Sequence, residues 1–327
     1  MTTFDTIDLA LTNVIGRSYR VHRPVLYLLA DSPEKRIYRI DQDGHPTFVL
    51  RLYATETVRY TAFDHAGVLL FLEHHSYPAE RVVRATDGSP VVRLDDRQIL
   101  VTRFIPGLPA SFSLRDVSLM GVGLGRLHAL DASGKTGVAA LLPRAGMLSA
   151  NELDWATMRL ALAEPRVPPN LRQHYEMLVS AVRQVDRCEG LPSVLIHNDY
   201  HPGNVVATLD GEIVVFDWEG AGRGPAVIDI GFLLSSCTIP YLSTTPLGPD
   251  DGLIASIVDG YCRNHQLSRP ELQRLPDAIR FRAIVTGVGS LVTALTTGEA
   301  EEGSSWWWNR FVAAEEIADR ALPHFHT

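Results

Sequence analysis

The chain has 327 residues, 46% hydrophobic and 21% charged, with a formal net charge of −8. That is long enough for two lobes with sizeable cores, and the ordinary composition excludes a disordered or fibrous chain. No basic stripe with interleaved aromatics occurs, which argues against a nucleic-acid partner, and three cysteines without C-x-x-C spacing (Cys188, Cys237, Cys262) exclude a disulfide framework or structural zinc site and read as core thiols.

The first hundred residues alternate short apolar runs with turn signals: Val25–Ala30, Arg36–Ile40, Thr47–Tyr53, Arg81–Arg84, Val91–Leu94 and Ile99–Phe104. They predict a largely antiparallel sheet. One helix is expected inside it, over Val58–Glu73, with Phe63, Ala66 and Leu70 at helical spacing. In the strand Phe48–Tyr53, alternation puts Val49, Arg51 and Tyr53 on one face and Phe48, Leu50 and Leu52 on the other. Val101–Gly107, ending in Pro106 and Gly107, reads as a hinge, so residues 1–106 are expected to form one lobe and 107–327 a second. The first carries 13 Arg and Lys against 13 Asp and Glu, the second 17 against 25, and an acidic second lobe suits a cationic small molecule.

Beyond the hinge, Ser113 and Asp116 resemble a capping box, with Val117, Met120, Leu124 and Leu127 as the apolar stripe of a core helix. Further helical faces are Leu253, Ile257, Val258 and Tyr261, then Trp307, Phe311, Ala314, Ala318 and Ala321. Of Trp306, Trp307 and Trp308, at least one must face the core, since adjacent helical residues point in different directions. The first twenty residues lack a basic start followed by an apolar run, and Ala283–Leu295 is too short and too rich in Gly and Thr to span a bilayer. A cytoplasmic protein without a membrane partner is expected.

The segment that carries chemistry is 195–219, LIHNDYHPGNVVATLDGEIVVFDWE. Asn204–Ala207 and Ile213–Phe216 are two short β-rich runs, and Asp210-Gly211 between them is a favoured two-residue turn. Such a hairpin sets Asn204 directly opposite Asp217, with Cβ atoms about 4.5–5.5 Å apart. One Mg²⁺ would then take a charged oxygen from Asp217 and a neutral one from Asn204, while Asp199 orients the attacking hydroxyl. The same stretch offers a second chemistry, a metal-dependent hydrolase on His197, Asp199 and His201.

His197, Asp199 and Asn204 in the pattern H-x-D-x-x-x-x-N, followed by an apolar strand and D-W-E, resemble the aminoglycoside phosphotransferase and choline kinase family. Its usual H-G-D-x-H-P-x-N is met by His197-Asn198-Asp199-Tyr200-His201-Pro202-Gly203-Asn204, with Asn198 in place of Gly, the substitute that best tolerates a left-handed backbone. Gly224-Pro225-Ala226-Val227-Ile228-Asp229 is similar to the family's G-D-P-x-x-D, which implies that Asp229 braces the catalytic loop. The resemblance implies an α+β, bilobal kinase-like fold, a small antiparallel β lobe with one helix and a larger, mainly helical lobe. It implies transfer of the γ-phosphate of ATP, with Mg²⁺, to a hydroxyl of an aminoglycoside- or choline-like acceptor, or to Ser or Thr of a peptide. Asp199 would be catalytic, Asn204 and Asp217 would hold the metal, and the Thr102–Phe104 backbone would meet adenine, with His197 holding the loop together. Arg51 stands where the family's phosphate-binding lysine is expected; the chain has only Lys35 and Lys135. Asp64 is the candidate partner for Arg51. Ser32 and Lys35 in the first hairpin read as a solvated turn, with contact to the terminal phosphates as the alternative, and without Lys or the usual helix Glu a catalytically silent nucleotide-binding protein is a third reading. The acceptor pocket is expected to include Thr297–Gly303, whose Glu299, Glu301 and Glu302 would pair with ammonium groups.

Overall fold

In the computed structural model the described residues are 6–32, 35–54, 61–133, 149–208, 211–239, 249–298 and 306–325. The chain opens with a helix that the apolar runs did not announce, α1 (Thr6–Tyr19). Strands β1 (Val25–Asp31), β2 (Lys35–Gln42), β3 (His45–Tyr53), β4 (Val91–Leu94) and β5 (Arg97–Arg103) form one antiparallel sheet in the order β1-β2-β3-β5-β4. Arg81–Arg84 is not a full strand: it meets the sheet through a single bridge, Val82 to Thr102.

The alternation read for β3 holds. Leu50 and Leu52 join Leu11 and Ile15 of α1 in a core on one face of the sheet, while Tyr53 faces the main core. Helix α2 (Ala62–His74) packs on that second face, with Ala66, Leu69 and Leu72 buried. Phe63, expected on its apolar stripe, is 45% exposed.

After β6 (Leu108–Pro109) the chain is mainly helical: α3 (Leu114–His128), α4 (Ser149–Ala163), α5 (Arg172–Gln184), α6 (Ala226–Thr238), α7 (Asp251–Cys262), α8 (Arg269–Gln273), α9 (Leu275–Thr297), α10 (Trp306–Val312) and α11 (Ala314–Ala321). Between α5 and α6 run β7 (Val194–Ile196), β8 (Val205–Ala207), β9 (Ile213–Val215) and β10 (Gly222–Gly224). Ser113 caps α3 by accepting from the Asp116 N–H, and Val117, Met120, Leu124 and Leu127 are all fully buried as the stripe required. Helices α3 and α7 touch at backbone distance: a Cβ on Gly121, Gly125 or Gly260 would run into the facing helix's carbonyls. That close seat fixes the backbone carbonyl of Met120, to which Tyr200 of the catalytic loop donates its hydroxyl at 3.0 Å.

Trp307 is completely buried, Trp308 stacks on Phe311, and Cys188 and Cys237 are buried thiols whose pKa burial pushes up to about 12. Among the described residues α9, 23 residues long, is the one helix with the length and apolarity to cross a bilayer. Here it is a central helix, packed against α4, α5, α6, α10 and α11.

Candidate active site

Strand β7 pairs with β10, and the catalytic loop leaves its end. His197 is fully buried; its Nδ1 accepts from the Asp199 N–H at 3.2 Å and its Nε2 donates to the Phe216 carbonyl at 3.1 Å. Burial lowers its pKa, and the carboxylates of Asp229 and Asp199 only partly offset this. A neutral imidazole with both nitrogens engaged is a structural brace. Asp229, on α6, accepts from the His197 and Asn198 N–H groups at 2.6 and 2.8 Å and lies 3.3 Å from His128 Nε2, the bracing role its motif implied.

Asn198 has φ +70°, the left-handed backbone expected of it, yet both atoms of its buried amide lack a partner among the described residues. An unpartnered amide costs about 1–3 kcal/mol, and glycine takes this backbone without strain. Asn198→Gly is therefore expected to stabilise the protein by about 1–2 kcal/mol in denaturant unfolding; a loss of stability would show the amide to be engaged.

Asp199 stands half-exposed at the mouth of the loop. Asn204 Nδ2 donates to its Oδ2 and to its backbone carbonyl, both at 3.0 Å, and His201 Nε2 is 3.7 Å from Oδ2. Arg282 Nη2 lies 3.4 Å from Oδ1. Burial alone would raise the Asp199 pKa; contact with His201 and the Arg282 charge outweigh it and hold the carboxyl well below the usual carboxylate range. The group is ionised at neutral pH.

The hairpin after it is not the one expected. Val205 pairs with Val215 and Ala207 with Ile213, and Thr208 continues the pairing with Glu212, so three residues, not two, make the loop. The register moves by one. Asn204 lies against Phe216, whose N–H donates to its carbonyl at 3.1 Å, and Asp217 falls beyond the ladder in a left-handed conformation, φ +66°. That turn of backbone, rather than strand alternation, aims its carboxylate.

Around Asp217 the structure gathers residues from the sheet. Lys35 lies directly across from Tyr53 and so on the face of Arg51; its ammonium pairs with Glu219 and stands 3.6 Å from Asp217 Oδ1. It is no solvated turn. Burial and Asp217 raise the Glu219 pKa against the pull of Lys35. Arg51 is buried and gives Nη1 and Nη2 to the two carboxylate oxygens of Glu80, at 2.8 and 3.0 Å. Glu80 also accepts from Thr102 Oγ1 and from the Asp217 N–H, both at 2.9 Å. Four donors thus converge on one buried carboxylate. Asp64 is not the partner of Arg51: it closes the capping box of α2, accepting from the N–H and hydroxyl of Thr61. The Thr102 hydroxyl is used inside the protein, and Phe104 gives its N–H to the Thr47 carbonyl at 2.9 Å, so neither donor is open to a nucleobase. Ser32 hydrogen-bonds within its own turn.

The donor set fits a hard divalent cation. Asn204 spends its Nδ2 on Asp199 and keeps its amide oxygen, Asp217 is a partly exposed carboxylate, and the Lys35 ammonium already rests against it as a cation would. On the other side of Asp199, Glu152 of α4 pairs with Arg282 of α9 at 2.8 Å, and Arg282 and Arg310 lie 5.0 and 5.8 Å from the ring of Phe232. Glu299, Glu301 and Glu302 lie outside the described residues. The hydrolase reading fails on geometry: both nitrogens of His197 are engaged in the loop, His201 Nδ1 accepts from Gly203, and no group of three His, Cys, Asp or Glu among the described residues suits a metal.

A β sheet with α2 on its inner face, a mainly helical remainder, and a braced H-x-D loop facing a second acidic turn define a kinase-like phosphotransferase. The sequence profile of the phosphotransferase enzyme family matches residues 29–275, and the chain belongs to that family, whose cofactors are ATP with Mg²⁺. It is a phosphotransferase. No curated protein matches it in sequence. Among solved structures, an amicoumacin kinase in complex with AMP-PNP, Ca²⁺ and Ami is 19% identical, with 97% of this chain and 94% of that one covered and a TM-score of 0.68. An ethanolamine kinase from Plasmodium vivax is 13% identical over 96% and 95%, TM-score 0.66. A microcompartment-associated aminopropanol kinase is 18% identical over 97% and 99%, TM-score 0.64. At these identities the likeness is one of fold.

Proposed function

We propose that this kinase uses Asp199 to orient the attacking hydroxyl, Asn204 and Asp217 to hold Mg²⁺, and Lys35 with Arg51 to border the phosphates of ATP. The observation that carries the reading is the carboxylate of Asp199: ionised, half-exposed, and held by Asn204, whose amide oxygen is left for the metal. Residues 1–106 form the nucleotide-binding lobe and 107–327 the catalytic and acceptor-binding lobe, with adenine against the Thr102–Phe104 edge through backbone carbonyls. When bound, the metal neutralises phosphate charge. The chain's own part is positioning: Asp199 takes the hydroxyl's hydrogen bond, and then its proton as the phosphoryl group leaves ADP. Glu80 holds Arg51 and the Asp217 backbone in one piece.

The acceptor is a small alcohol, and the finer reading is one that bears an ammonium group. The acidic excess of residues 107–327 supports it, as do fold relatives named for ethanolamine and aminopropanol. ATP as donor supports a cytoplasmic location. Asp217→Ala is expected to weaken metal-nucleotide binding more than Asn204→Ala, because it removes a charge rather than a neutral oxygen, and raised Mg²⁺ is expected to rescue Asn204→Ala in part. Equilibrium binding of ATP across a Mg²⁺ series checks this; unchanged Mg²⁺ dependence in both variants would remove the two residues from the metal site. Phosphate transfer screened over amino alcohols, aminoglycosides and uncharged alcohols identifies the acceptor class.

A further inference from the structure

We propose that Arg282, held by Glu152, is a positioning residue for phosphoryl transfer that sets the orientation of the Asp199 carboxylate. The inference rests on the kinase reading of Asp199. Arg282 projects from α9 and Glu152 from α4; both are buried, and Nη1 lies 2.8 Å from Glu152 Oε2. That pair already balances the Arg282 charge, so the further contact of Nη2 with Asp199 Oδ1 is not needed to neutralise a buried cation. Asp199 is half-exposed and already bonded by Asn204, so it has partners besides Arg282. What the contact supplies is a second point of attachment. Asn204 fixes Oδ2 alone, and a carboxylate held at one oxygen turns about that bond; Arg282 on Oδ1 sets its plane.

The arrangement is costly unless it serves something. Two buried ions lose their hydration, and Arg282 Nε is buried without a partner among the described residues. A guanidinium suits the task because its planar fork reaches Glu152 and Asp199 at once, with the Phe232 ring beside it limiting its movement. An ammonium in its place keeps the charge for Glu152 but has no fork.

The test is phosphate release from ATP at saturating Mg²⁺, with water as the acceptor, in wild type, Asp199→Asn, Arg282→Lys and Arg282→Gln. Loss of this rate in Asp199→Asn makes it a report on Asp199; equal rates in wild type and Asp199→Asn would overturn the kinase reading and this inference with it. Arg282→Lys is expected to fold as wild type by thermal unfolding and to lose about tenfold in kcat, since small misplacements of a reacting group cost up to about a hundredfold. Its KM for ATP and its affinity for AMP-PNP should stay within about twofold. Arg282→Gln is expected to lose more rate with the same split. Wild-type kcat in both variants overturns the inference, and so does a fall in kcat matched by an equal fall in nucleotide affinity, the mark of a merely structural residue.

Discussion

Asp199→Asn is expected to bind Mg²⁺-ATP as wild type does and to lose about 10²–10⁴-fold in turnover, the usual contribution of a general base. The substitution keeps the shape of the side chain and removes its charge. It also creates a conflict that shape alone does not show. Asn204 and Arg282 both present donors to this carboxylate, one to each oxygen, and an amide has only one oxygen to offer. Whichever way it turns, its NH₂ faces a donor, so the side chain leaves the position that suits the hydroxyl as well as losing the capacity to take a proton. Turnover within threefold of wild type would remove Asp199 from the mechanism. Burst and steady-state kinetics with a confirmed acceptor, beside titration of AMP-PNP binding, separate the two effects.

The candidate loop was legible because the motif keeps its residues close in sequence: His197, Asp199 and Asn204 share it, and their hydrogen bonds are local. The small sheet was legible for a similar reason, since Val91–Leu94 and the face assignment in β3 follow from alternation alone. Register was not. A two-residue Asp210-Gly211 turn and a three-residue loop with left-handed Gly211 read the same in sequence, yet they differ by one position along every pair. The same limit hid Lys35. The type I′ turn at Asp43-Gly44 alone would set Lys35 across from Leu52, on the α1 side of the sheet; a bulge between Ile40 and Asp41 moves it to Tyr53 and onto the face of Arg51.

Partners far apart in sequence were not legible either. Glu80 follows a loop after α2 and meets Arg51 across 29 positions; Arg282 meets Asp199 across 83. No spacing rule reaches that far, and the nearer carboxylate, Asp64, had a local use as a helix cap that competes with any long-range one. Helix α1 was missed because its fully buried residues, Leu11 and Ile15, make a narrow stripe, while Leu9, equally apolar, faces solvent.

Glu80→Ala is expected to be the most destabilising single change in the site, by about 3–5 kcal/mol, the range found when one partner of a buried ion pair is removed. Arg51 would keep its charge in a place that water does not reach, and the Thr102 hydroxyl and the Asp217 N–H would lose their acceptor. The effect on function follows from the last of these. Asp217 sits beyond the hairpin ladder, in a left-handed conformation, and its N–H bond to Glu80 ties the backbone of that turn, through Arg51, to the sheet. Metal-nucleotide affinity should therefore fall together with stability. Pairing Glu80→Leu with Arg51→Met separates the two, because two apolar side chains leave no buried charge. The double variant is expected to recover more than half of the lost stability in urea unfolding and none of the nucleotide affinity, since the Asp217 N–H still lacks its acceptor and the guanidinium is gone. If Glu80→Ala unfolds within about 1 kcal/mol of wild type, the four-donor carboxylate does not anchor the Asp217 turn to Arg51 of the sheet. If the double variant binds ATP normally, Arg51 and Glu80 serve the fold alone.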